Sequence, residues 1–132
     1  MISRKVIAIL CLVFLAFRIG LSSPWRENPL FDRYGEISFE AEKARLDNYA
    51  IQIKSAPGSR GFIVVYSGGS WTSGYVKWRA RRAVKYLVQK RGVNADRIKW
   101  RYDAHCGQGS VLLYLFFPNE SDPERDTRCV RT

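Results

Sequence analysis

Residues 61–98, GFIVVYSGGSWTSGYVKWRARRAVKYLVQKRGVNADRI, decide the fold. Gly61 to Tyr66 is a continuous apolar run bounded by glycines, the pattern of a strand buried on both faces and so of a sheet centre. The next eight residues, Ser67 to Gly74, hold three glycines and four hydroxyl side chains and predict an exposed loop. A helix follows over about Tyr75 to Arg91, with Val76, Ala80, Ala83, Val84, Leu87 and Val88 as its buried stripe. Gly92 stands where such a helix ends in the left-handed conformation. From Arg97 to Tyr102 the chain alternates strictly. Ile98, Trp100 and Tyr102 share one face of a half-buried strand, and Arg97, Lys99 and Arg101 give it a basic outer face.

Working outward, Leu30-Phe31 is the only apolar pair in an irregular stretch from Trp25 to Ile37 and marks a weak first strand. Ser38 can cap a helix whose first turn carries Glu40 and Glu42, where negative charge meets the positive end of the helix dipole. Phe39, Leu46, Tyr49, Ala50 and Ile53 fall on one face of it, with Lys43, Asp47 and Lys54 opposite, and Pro57-Gly58 stops it. On the other side, Gly107-Gln108-Gly109 turns the chain into the apolar run Val111 to Phe117, which Pro118 ends. Residues from Asn119 to Thr132 read as a polar tail held only by Cys129. The expectation is an α+β domain over residues 24–118, of order βαβαββ, with both helices on one face of a mixed sheet.

The order Arg79-Ala80, Ala83-Val84, Tyr86-Leu87 and Gly92-Val93-Asn94-Ala95-Asp96-Arg97-Ile98 resembles the C-terminal peptidoglycan-binding domain of the OmpA-like family. The resemblance implies that Arg79 holds a carboxylate of the diaminopimelate residue, as a bidentate partner. On a helix, Tyr75, Arg82 and Tyr86 lie on the same flank as Arg79, at the border of the apolar stripe. The family's loop aspartate falls near Ser67-Gly68 and is absent, and the loop is about four residues shorter than the family pattern. A purely anionic ligand could instead meet Arg79 and the backbone amides of Ser67, Gly68 and Gly69, arranged as an anion nest. A solvated surface arginine and an ordinary glycine turn are the plain alternatives.

The N-terminus places Arg4 and Lys5 before an apolar run from Val6 to Phe17, then Gly20, Ser22, Ser23 and Pro24, which is the layout of a secretory signal peptide. The run is short for a membrane span, although an uncleaved anchor is the competing reading. Leu10 precedes Cys11 where a lipidation signal needs a small residue. Removing 1–23 leaves about 110 residues, enough for one domain. Subtracting Arg4, Lys5 and Arg18 from the 22 basic residues leaves 19 against 12 acidic ones, a formal charge of +7. Such a chain favours anionic partners. Lys77 to Arg101 alone holds ten basic residues against Asp96, with Trp78 and Trp100 among them. That mixture can bind nucleic acid, but export directs it toward anionic envelope glycans or lipid head groups, with a simple solvated basic face as the plain alternative. No nucleic-acid partner and no cofactor is expected.

After export Cys106 and Cys129 are the cysteines left, an even count in an oxidising compartment, and a bridge between them would be worth about 3 kcal/mol. Two free thiols are the alternative in a reducing one. Asp103, His105 and Cys106 are the one compact set of acid, base and nucleophile types. Neighbours in an extended segment point to opposite faces, so a Cys-His enzyme stands below a binding protein, and three such residues in four positions make a thin metal motif. Intact mass of the exported protein is expected to show loss of the first 22 or 23 residues, and peptide mapping without reductant a linked Cys106 and Cys129. A chain still starting at Met1, or two alkylatable thiols, would contradict these assignments.

Overall fold

The computed structural model describes residues 29–104 and 107–125. Strand β1 (Leu30–Tyr34) leads through helix α1 (Phe39–Ser55) to strand β2 (Arg60–Ser67), then helix α2 (Ser73–Lys85) and strands β3 (Ile98–Ala104) and β4 (Ser110–Phe116). This is the expected βαβαββ order. The sheet runs β1-β4-β2-β3. β2 pairs parallel with β3, from Gly61 opposite Ile98 to Ser67 opposite Ala104, and antiparallel with β4, while β1 lies antiparallel on the other side of β4. The apolar β2 run thus occupies an inner position.

Alternate residues of β2 and β4 divide the apolar content between two faces. Ile63, Val65, Val111 and Leu113 meet Leu46, Tyr49, Ala50 and Ile53 of α1 and Val76, Ala80, Ala83 and Leu87 of α2, which puts both helices on one face. Phe62, Val64, Tyr66, Leu112 and Phe116 form the cluster of the opposite face.

Local signals account for the element ends. The Ser38 hydroxyl accepts from the Ala41 amide at 3.2 Å, and the Thr72 hydroxyl from the Tyr75 amide at 3.3 Å, so α2 starts two residues before the sequence expectation. Past Lys85 the helix continues through one wider turn, Tyr86–Lys90, closed by a bond from the Arg91 amide to the Tyr86 carbonyl of 3.2 Å. Gly92, at φ 67°, then ends it. Among the described residues no helix is long and apolar enough to cross a membrane.

Four expectations change. Phe39 is 37% exposed and lies at the rim of the helix pair against Tyr86 and Arg82, while Glu42 of the same turn is buried. Trp71 is buried, so the glycine loop is only partly exposed. Arg97 does not join a basic strand face: its guanidinium binds the Ile53, Ala56 and Ser59 carbonyls and caps the end of α1. Arg101 is likewise engaged, by Asp103 at 2.7 Å and by the Pro123 carbonyl at 2.9 Å. The described part of the tail is thus held to the sheet by arginines, since Arg60 also binds Asp122 and the Glu120 carbonyl. Cys129 itself lies outside the described residues.

Tyr49 approaches the centre of the sheet closely. Its hydroxyl donates to the Tyr114 carbonyl at 2.5 Å, and a Cβ on Gly61 would stand 2.5 Å from that oxygen and 2.9 Å from Ile53 Cδ1. Gly61→Ala is expected to cost about 1–3 kcal/mol through overpacking, read as a lower urea midpoint with an unchanged denaturant slope. An unchanged midpoint would show that α1 can shift outward freely.

Candidate ligand-binding site

The guanidinium of Arg79 points inward. The residue is 1% exposed and the Glu42 facing it from α1 is 0% exposed. Arg79 donates from Nε to Glu42 Oε1 at 3.3 Å, from Nη1 to the Tyr75 hydroxyl at 3.0 Å, and from Nη2 to the Gly35 carbonyl at 3.3 Å. Its plane lies 4.4 Å from the centroid of the Trp71 ring, with Tyr34 and Tyr75 beyond. Glu42 also accepts from Tyr34 at 3.0 Å and from Arg82 Nη2. Burial, reinforced by the Glu42 charge, pushes the Tyr34 hydroxyl far above its ordinary pKa and keeps it a donor. A carboxylate without solvent thus receives one neutral and two charged donors.

Sequence periodicity placed Arg79 at the border of the stripe; the structure places it inside. Of the flank named with it, Tyr75 and Arg82 do converge on this centre. Tyr86 turns to Asp47 instead, donating at 2.6 Å, a bond that with Arg91 holds the Asp47 carboxyl below its usual range.

The glycine loop closes on itself. Gly68 and Trp71 exchange backbone bonds of 3.2 and 3.0 Å, and the Gly109 amide donates to the Gly68 carbonyl at 3.2 Å. One of the three amides expected to form an anion nest is therefore spent. Ser67 ends β2 in register with Ala104, and Gly69 is exposed at the tip of the turn. A side chain at Gly68 would meet the Gly107 carbonyl oxygen at 2.2 Å, so the absent family carboxylate cannot simply be restored there.

Trp71 is the loop residue that reaches Arg79. It lies against Gly109, where an added Cβ would come within 2.2 Å of the indole, and its Nε1 donates to Glu36 Oε2 at 2.8 Å. Glu36 also stands 3.5 Å from the Tyr75 hydroxyl and from Arg79 Nη1. The space beside the arginine is filled by the protein's own indole and its own carboxylate.

Outside this centre, rings and cations alternate along the seam of the two helices. Tyr75 and Trp78 lie 5.7 Å apart, and the Arg82 guanidinium sits 4.4 Å from Trp78 and 4.2 Å from Phe39, whose edge meets Tyr86 at 6.3 Å. On the β3 side Lys77 stands over Tyr102 at 4.7 Å and Arg81 over Trp100 at 5.9 Å. Trp78 is half exposed, as its position opposite the buried stripe requires. His105, Cys106 and Cys129 lie outside the described residues. Asp103 is buried and bound by Arg101 at 2.7 Å, with Arg125 at 3.7 Å.

No protein-family model matches the chain, and no curated protein matches it. Sequence reasoning missed Glu42, Glu36 and the buried role of Trp71. A signal for the first was present: residue 42 precedes Leu46 by four positions and Tyr49 by seven, so it continues the buried stripe of α1.

Arg79→Ala is expected to destabilise the fold by about 3–5 kcal/mol, because it leaves a buried carboxylate short of a charged partner. Arg82→Ala should cost less, since its side chain is 23% exposed and water can replace it. Urea unfolding of both variants measures the difference, and equal small losses would mean that Glu42 is solvated in the folded protein.

Proposed function

We propose that the protein is a non-enzymatic, exported module of the cell envelope, related in plan to OmpA-like domains, that binds anionic envelope polymers such as peptidoglycan on its basic helical surface. The observation that carries this reading is the outer side of α2. There Lys77 and Arg81 are held over rings and pair with no carboxylate among the described residues, and Lys85 and Lys90 are exposed with none either. Unpaired cations beside aromatic faces suit an extended anionic chain that has apolar surface of its own, such as a charged glycan.

The Arg79 centre gives this reading its second support. The arginine of the family motif is retained, but Glu36 and Glu42 supply its anions from within. A stem-peptide carboxylate would have to displace Glu36, whose side chain is 68% exposed, before it could reach the guanidinium. Polymer is therefore held on the outer surface, and the family centre serves the fold. The export assignment rests on the leader over residues 1–23.

Sedimentation with purified peptidoglycan sacculi tests the proposal. The protein is expected to be retained at low salt, to be released by a soluble anionic polysaccharide and to resist free diaminopimelate. Lys77→Gln with Arg81→Gln should weaken retention about five- to thirtyfold, since each such contact is worth roughly 0.5–1 kcal/mol. Absence of retention at any salt concentration would refute the reading, and stronger capture by single-stranded DNA would replace it with a nucleic-acid function.

A further inference from the structure

A groove of about 480 Å³ opens where the first turn of α1 faces the end of α2, within the size range of small-ligand sites, about 300–1,000 Å³. Phe39 and Tyr86 supply its aromatic surface, meeting edge to face at 6.3 Å. Every charged residue in its lining is basic: Lys43, Arg82, Lys85, Lys90 and Arg91. The wide turn Tyr86–Lys90 contributes Tyr86, Gln89 and Lys90 to it, and such turns recur at functional positions.

The cations divide by chemistry. Both guanidiniums are already engaged, Arg82 by Glu42 and Arg91 by Asp47 at 2.5 and 2.8 Å. The ammonium groups are not equally committed. Lys43 has one carboxylate partner among the described residues, Glu40, 2.6 Å away with a side chain 82% exposed, and lies 5.1 Å from the Phe39 ring, while Lys85 and Lys90 have no carboxylate partner among them. A planar carboxylate is matched best by the fork of an arginine, whereas lysine binds phosphate as a point charge. A phosphoryl group carries nearly two charges at neutral pH, which suits ammonium groups converging from two helices. Phe39, 37% exposed at the rim of the groove, has the Arg82 guanidinium 4.2 Å and the Lys43 ammonium 5.1 Å from its ring, so its exposed edge borders the space where that phosphate would sit.

We infer that this groove is a subsite for a phosphorylated sugar, with Lys85, Lys90 and Lys43 on the phosphate and the edges of Phe39 and Tyr86 beside the sugar ring. It rests on the reading of the helical surface as an anion-binding face and adds to it a phosphate subsite that unphosphorylated peptidoglycan would leave empty. The donors come from residues whose replacement leaves the Glu42 centre untouched.

Glucose 6-phosphate is the probe, added to the whole exported chain while the aromatic proton signals are followed. Saturable shifts of the Phe39 and Tyr86 rings are expected, and Lys85→Gln with Lys90→Gln should lower the affinity about tenfold or more. Arg33→Gln with Lys99→Gln, which removes equal charge from the opposite sheet face, should change it less than about twofold. Glucuronate should bind at least about fivefold more weakly, and inorganic phosphate should leave the ring signals in place. Equal losses from the two double variants, equal binding of glucuronate, or rings that do not respond to glucose 6-phosphate would each overturn the subsite. Sedimentation with sacculi separates the two proposals: retention without a sugar-phosphate response removes the subsite alone, and a response without retention removes the envelope reading alone.

Discussion

A fully buried carboxylate organises the helical side of this protein. Glu42 has no solvent to stabilise its charge, and desolvation of an ion costs several kcal/mol unless charges and hydrogen bonds are supplied in place of water. The supply comes from three directions: Tyr34 at the end of β1, Arg79 from the middle of α2, and Arg82 one turn later. These donors fix α1 against α2 more specifically than the apolar stripes alone, which could slide while keeping most of their buried area. Arg79 then extends the network, because its remaining donors reach Gly35 and Tyr75 and its flat face is covered by Trp71. The β1–α1 loop, the glycine loop and both helices are tied through one guanidinium.

That arrangement separates inner from outer charge. The interior cations have carboxylates, hydroxyls or carbonyls assigned to them. On the outer face of α2 Lys77 stands over Tyr102 and Arg81 over Trp100, and Lys85 is exposed to solvent. Binding through such a surface needs no cavity to be opened and no internal pair to be broken. The attraction is screened over about 8–10 Å at ordinary ionic strength, so under the proposed function rings such as Phe39 and Trp78 would help to hold a partner that charge had gathered.

The sheet face away from the helices relies on a different device. Arg60 lies 5.1 Å from the Phe116 ring and Arg101 5.4 Å from Phe62, and both turn their donors toward the segment after β4. The bond from Arg60 holds the Asp122 carboxyl below its usual range, so this anchor remains charged under most conditions. Arginine stems cover apolar surface while their heads bind the carbonyls of a polar strand of chain. The described tail residues, 119–125, are thereby held by cations of the sheet although none of them is hydrophobic apart from Pro123.

Element order was legible from residues close in sequence. The apolar run of β2, the caps at Ser38 and Gly92, and the alternation in β3 depend on local geometry, and each could be read from spacing alone. The assignment of charge to interior or surface depended on contacts between residues 37 to 40 positions apart, which no local pattern contains. Glu42 and Arg79 each continue an apolar stripe on their own helix, but only the packing of the helices shows that the two positions face one another. The same limit applied to Trp71, whose place in a glycine-rich segment signalled exposure until the Arg79 plane and Gly109 gave it a surface to cover. The sequence by itself determined the strands, the helices and an excess of positive charge. Tertiary structure decided which arginines serve the core and which lysines stay exposed without a carboxylate among the described residues, because a buried ion is tolerated only where distant elements bring its counterions to it.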